Sequence, residues 1–546
     1  MSASSKKKLR NAQNAEKLTE KQLQEQAEAK KLKRNTAIFV VVLALMVCFA
    51  AYTAVSNAIT HSGIFQRNTT AVTIGDHEIS NAELNFYFID AVNNFYSNYG
   101  SYASMFGLDV TAPLDEQILD EETGKTWADD FIEAAIENAR AVYALNDAAE
   151  AEGFALTEDQ AADIEINASN LRTYASLYGY ANADDYLKAM YGNGANAELF
   201  RTYYTMNTVA SAYQNYYVEN LTYEDADLRA AEAENYGKYS NFSYNSYYMS
   251  VSSFLEGGKE GEDGTVTYSD EENAAAQAAA KAAAESLKSA KTVAELDAAI
   301  QALSINAENS AASSTAYTDT AYSSINSTIA EWVTDDAREL GEVGVIPYVV
   351  HDHEDGEAHS DDETSGYYIV IMNGVNDNIF PLVNARHILV GFEGGTTDEN
   401  GQTVYSDEEK APAKDKAQQL LAQWQSGEAT EDSFAALAAE KTTDTGSAAN
   451  GGLYEDIYPG QMVTNFNDWC FDSQRKVGDT DIVETNYGYH VMYFSGNSDT
   501  TYRDMLIEED LINTDSEAWY NALVEAMATN KLSTKYITTG LVLNNN

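Results

Sequence analysis

The chain has 546 residues, with 33 Lys/Arg against 86 Asp/Glu, a formal net charge of −53, and only two cysteines, Cys48 and Cys470. That length leaves room for several domains, each burying its own core. The acidic surplus excludes a general nucleic-acid binder, because it repels phosphate, and two distant cysteines exclude a disulfide framework.

The charge is unevenly placed. Residues 1–36 form a basic tail with ten Lys/Arg and four Glu, a net of +6, which leaves −59 for the remainder. Residues 37–59, AIFVVVLALMVCFAAYTAVSNAI, carry no charge and are long enough to cross a bilayer as one transmembrane helix. Basic residues favour the cytoplasmic side, so the expected topology is a single-pass cell-membrane protein, N-terminus inside and everything after Ile59 extracytoplasmic. A cleaved signal peptide competes with this reading, but the long charged leader and long apolar run favour an uncleaved anchor. A lipid-attachment site at Cys48 fits poorly, since Val47 before it is not small and the apolar run continues.

Next comes AVTIGDHEISNAEL, in which Val72, Ile74 and Ile79 alternate around a Gly-Asp turn and Ser80 with Glu83 has capping-box spacing. Helical patterns follow, including a start at Thr157 with Gln160 and a run over 197–221, so residues 70–237 read as a helical domain. Its dense aromatics, as in FYFIDAVNNFYSNYGSYASMF, read mostly as core, with the rest lining an apolar cleft suited to holding unfolded chains.

From about 238 the chain repeats itself. YSDEE occurs at Tyr268 and Tyr405, EGG at Glu256 and Glu393, and a tryptophan at Trp332 and Trp469, all at an offset of 137. A shared offset over that span marks a duplicated domain. The repeats occupy about 238–375 and 380–496, each reading as strand, acidic loop, capped helices, a helix ending near Trp, then two strands. Ser269 with Glu272 and Ser406 with Glu409 open the Ala-rich helix 272–287 and its counterpart 409–424. Residues 501–546 return to a helical pattern and are expected to pack on the 70–237 domain. The fold class is thus α+β multidomain.

Four blocks of the second repeat, ARHILVGF, TTDTGSAANGGLYED, GQMVTNF and TNYGYHVMYF, resemble the parvulin family of peptidyl-prolyl isomerases, and the exported chain resembles the PrsA and SurA extracytoplasmic foldases. The resemblance implies a catalytic set of His387, Asp444, His490 and Thr485, with Leu453, Met462 and Phe466 as apolar walls of a proline pocket. GGLYED departs from the more usual GGDLG-type turn. It implies a SurA-like chaperone domain at 70–237, no cofactor, and unfolded exported polypeptides with X–Pro bonds as partners.

In the first repeat, His387 corresponds to Ser250 at the unshifted offset, or to Tyr248 if YYMSV is aligned on RHILV. Tyr368 takes the place of His490, and Ile325 and Ile329 those of Met462 and Phe466. The expectation is a degenerate parvulin-like domain followed by an active one. The alternative is a pure holdase with a vestigial isomerase site. Separately, HDHEDGEAHSDDE offers His351, His353 and His359 as weak candidate metal ligands among carboxylates, although such runs are more often solvated loops.

Overall fold

The computed structural model describes residues 62–543 except 261–264, 310, 351–362 and 399–400, and before these residues 4–6, 33, 42–53, 55 and 59. Most of the basic tail lies outside the described residues, as do 37–41, 54 and 56–58 of the expected membrane span. Residues 42–53 are helical and largely exposed. Among the described residues no helix is long and apolar enough to cross a membrane.

The chain divides into two compact units, residues 1–221 with 515–546, and 222–514. The first unit starts with the hairpin Thr70–Ile74 and His77–Ser80. Ser80 then caps helix Asn81–Tyr99 by accepting from the Glu83 amide. Helix Trp127–Glu152 opens with a capping box made by Thr126 and Asp129, and helix Glu158–Leu177 with one made by Thr157 and Gln160. Phe86, Phe88, Trp127, Phe131 and Leu187 share one core, while Tyr99, Tyr102, Met105 and Phe106 remain exposed. The C-terminal segment is not wholly helical: Thr529–Lys531 adds a third strand, pairing Val72 with Lys531, and Trp519 stacks on Tyr217 at 3.8 Å.

The second unit holds two four-stranded antiparallel sheets of one topology. In the first the order is 315–321, 241–250, 363–376, 343–350; in the second it is 453–457, 381–391, 488–501, 480–484. The capped helices are Asp270–Ser286 and Asp407–Ser426, each opened by the serine–glutamate box read from the sequence. Arg503 lies buried between the 222–240 segment and the first sheet, its guanidinium 3.9 Å from the Tyr236 ring, bonded to Glu232 and to the Tyr236 and Asp377 carbonyls.

Successive strand residues face opposite sides, and that alternation positions the site. In the second sheet Ile388, Tyr489, Val491 and Tyr493 face the helices Asp407–Ser426 and Glu431–Lys441, burying Ala417, Leu420, Phe434 and Leu437. Ala385, His387, Met492 and Phe494 face the other way, toward Phe466 and Trp469 of the short helix Thr464–Cys470.

Strand register fixes which residues of the two repeats correspond. Tyr368 pairs with Ile346 and His490 with Val483, and Ile346 and Val483 stand 137 apart. On the other side Val370 pairs with Ser246 and Met492 with His387. Ser246, not Ser250 or Tyr248, therefore holds the place of His387. The sequence offset failed there because the spacing between repeats changes along the first strand, where no helix cap anchors it.

Candidate active site

His387 comes from strand Pro381–Gly391 and His490 from strand Gly488–Thr501, two residues diagonally across the pair. Both are buried, and their Nδ1 atoms lie 2.8 Å apart with the rings stacked at 5.1 Å. His387 Nε2 lies 2.9 Å from Asp444 Oδ2 and 3.1 Å from Ser447 Oγ. His490 Nε2 lies 2.9 Å from Thr485 Oγ1. The structure thus brings all four expected polar residues into one hydrogen-bonded chain.

Asp444 sets the direction of that chain. Burial works against its charge, but hydrogen bonds from Ser447, His387, the Gly446 amide and Tyr454 outweigh burial and hold the carboxyl at about 2. Burial pushes His387 below its ordinary value against the pull of Asp444, and burial together with the neighbouring His387 pushes His490 down to about 3. At neutral pH the carboxylate is charged and both imidazoles are neutral. His387 must then donate through Nε2 to Asp444, which leaves its Nδ1 bare to accept from His490 Nδ1–H. His490 Nε2 is bare in turn and accepts from the Thr485 hydroxyl. Protons point one way, from Thr485 to Asp444, and no group in the chain is a free acid or base.

The apolar side of the site is a cup over this network. The Phe466 ring stands edge-on to both imidazoles, 5.5 Å from His387 and 5.4 Å from His490, and Met462 packs beside it at the half-exposed rim. Leu453, expected as the third wall, is not part of it. Leu453 pairs with Arg386, whose guanidinium reaches Glu431 and the Asn450 carbonyl on the helix side of the sheet, so the leucine faces that side too. Tyr454, one residue on, faces the cup: its ring lies 5.4 Å from His387 and its hydroxyl donates to Asp444 Oδ2 at 3.0 Å. Tyr454 and Ser447 are the site residues missed from the sequence. Strand alternation across GGLYED, phased by His387, was the signal for Tyr454; Ser447 had none, being brought in by the turn after Asp444.

Among the described residues no group of three or more His, Cys, Asp and Glu side chains could hold a metal ion. His351, His353 and His359 lie outside the described residues.

The second repeat is thus a four-stranded antiparallel sheet, helical on one face and carrying a buried histidine pair beneath an apolar cup on the other, and it falls in the region that matches a known family. Residues 367–497 match the family model described as PPIC-type PPIase domain, from within the strand 363–376 of the first repeat to within the strand 488–501 of the second sheet. The chain is PrsA- and SurA-like: over 117 residues it is 34% identical to a foldase protein PrsA of Geobacillus kaustophilus, covering 21% of this chain and 32% of that one. Over 135 residues it is 30% identical to a chaperone SurA of Chromohalobacter salexigens, covering 23% of this chain and 27% of that one. The matches therefore span about a third or less of those relatives' length. A solved PrsA structure from Bacillus anthracis is similar over 28% of this chain and 59% of that one, at 21% identity and a TM-score of 0.17.

Proposed function

We propose that the protein is a membrane-anchored extracytoplasmic foldase whose second repeat catalyses cis–trans isomerisation of X–Pro bonds in exported, unfolded polypeptides. The observation that carries this reading is the apolar cup of Phe466, Met462 and Tyr454 over a network with no free proton to give or take.

Rotation about an X–Pro bond has a barrier of about 20 kcal/mol because amide resonance must be lost, yet no covalent bond is made or broken. Only tighter binding of the twisted amide than of either planar form accelerates it. The cup would grip the pyrrolidine ring while the preceding carbonyl turns in a site poor in water. A 10⁴-fold acceleration needs about 5.4 kcal/mol of such preference. The histidines act as a rigid neutral floor: their hydrogen bonds are all satisfied inward, so they hold Phe466 and Asp444 in place without proton transfer.

The first unit supplies the holding part of the proposal, since Tyr99, Tyr102, Met105 and Phe106 leave an exposed apolar run suited to transient contact with unfolded chains. Residues 37–59 would tether the molecule, on the strength of their uncharged length and the basic tail before them.

The test is exchange of a short X–Pro peptide by the full-length chain beside its Met462→Ala variant. Acceleration by the parent that drops at least about tenfold in the variant supports the reading. No acceleration by a parent that still suppresses client aggregation would leave a holdase with a vestigial site.

A further inference from the structure

The face of the first repeat that corresponds to the catalytic face carries tyrosines instead of histidines. By register Tyr348 stands at the place of Thr485 and Tyr368 at that of His490, with Tyr248 directly opposite Tyr368 on the neighbouring strand. Their ring centroids lie 4.9 Å apart for Tyr248–Tyr368, 6.0 Å for Tyr248–Tyr348 and 6.1 Å for Tyr348–Tyr368. Gly366, the cross-strand partner of Tyr348, makes the packing possible, because a Cβ there would stand 2.4 Å from the Tyr248 hydroxyl oxygen. Rings this close leave no cavity between them. They form a platform, and Tyr248 and Tyr348 are still 40% and 37% exposed.

Two observations say what the platform would take. The first repeat, residues 238–375, carries 24 Asp/Glu and six Lys/Arg, a net of −18, so cations are concentrated at its surface. Elsewhere the chain sets its own cations over aromatic rings: Lys410 over Phe392, Lys414 over Tyr489, Arg475 over Trp469 and Arg338 over Trp332. Among the described residues no Lys or Arg lies over Tyr248, Tyr348 or Tyr368. A tyrosine face carries the negative lobe of the ring quadrupole and attracts a guanidinium or ammonium within about 6 Å.

We propose that the Tyr248–Tyr348–Tyr368 platform is a docking site for Lys- or Arg-bearing segments of an extended polypeptide. The acidic field draws the basic segment in, and the ring faces hold its cationic side chains by cation–π contact, at a site separate from the proline cup and needing no proline.

The probe is a short, proline-free, unstructured peptide carrying several arginines, with an arginine-to-glutamine counterpart, titrated by fluorescence anisotropy into the full-length chain. Omitting proline keeps the outcome independent of the isomerase reading. The arginine peptide should bind at least about fivefold more tightly than the glutamine one. Tyr248→Leu with Tyr348→Leu, which keeps apolar bulk but removes the quadrupole, should weaken arginine-peptide binding about fivefold; Tyr248→Phe with Tyr348→Phe should stay within about twofold of the parent. Hydrogen-exchange protection of the strands 241–250, 343–350 and 363–376 equal to that of the parent would show that the first repeat remains folded in both variants. Leucine variants that bind like the parent, or a glutamine peptide that binds as well as the arginine one, would overturn the proposal; the latter would mark the platform as a general apolar patch.

Discussion

The two repeats share a topology, a helix cap and a tryptophan, yet one closes its sheet face with a hydrogen-bonded polar network and the other with packed rings. In the second, His387, Thr485 and His490 meet Asp444 beneath Phe466. In the first, Ser246, Tyr348 and Tyr368 occupy those register positions, and Ile325 and Ile329 are buried in a core with Phe242, Tyr244 and Met372 where the cup would be. A frame held by capped helices and alternating strands tolerates either filling, because the cores on the helix side are separate from the site face. One fold thus carries two different site faces.

The comparison is broken most directly by giving the second repeat the residues of the first. His387→Ser with His490→Tyr should lower kcat/KM for X–Pro exchange at least about 100-fold, because the Phe466 edge contacts and the Asp444 partner are lost together; retention within about tenfold would show that the floor is dispensable. Asp444→Ala comes next. It removes the charged acceptor of the buried His387 N–H and leaves it only the Ser447 hydroxyl at 3.1 Å, with an expected cost of about 1–3 kcal/mol in stability and about tenfold or more in exchange rate. Urea unfolding and peptide exchange read the two effects separately.

Acid should separate the repeats. The two histidines are held below their ordinary values in the folded state, so the unfolded chain binds more protons, and stability present above about pH 6.5 is lost as pH falls toward 3. Asp444, held at about 2, contributes stability that is present above its ordinary value near 3.8 and is lost as pH falls from there toward 2. The first repeat has no histidine at these register positions. Hydrogen exchange at descending pH should therefore show the second sheet opening first; simultaneous opening would contradict the pKa assignments.

Tyr454→Phe keeps the wall but removes one donor to Asp444. It should cost about 1 kcal/mol and raise the pH at which acid inactivation sets in. A Leu453→Ala variant should leave exchange within about threefold, since that side chain faces away from the cup. The smallest effect should be shared by both copies: Ser269→Ala and Ser406→Ala each remove a capping serine and should each cost about 1 kcal/mol.

Much of this was legible in the chain itself. Capping boxes are local, so Ser80, Thr157, Ser269 and Ser406 announced their helices without reference to the rest of the molecule. The 137-residue offset is a property of the sequence, and the resemblance of the four blocks of the second repeat to parvulins implied His387, Asp444, Thr485 and His490 together. The errors fell where side-chain direction depends on pairing between distant strands. A one-residue change of phase turned Leu453 to the helix side and Tyr454 to the cup, and a shift of spacing between repeats moved the counterpart of His387 to Ser246.

The sequence by itself determined the order of elements, the duplication and the residue types available for chemistry, because these depend on neighbours along the chain. Only the tertiary structure decided the direction of the proton chain, the identity of the third wall, the Thr529–Lys531 strand closing the N-terminal hairpin, and the meeting of Tyr248, Tyr348 and Tyr368 over Gly366. Each of these rests on strand register and burial, which bring together residues far apart in sequence, and no local pattern encodes them.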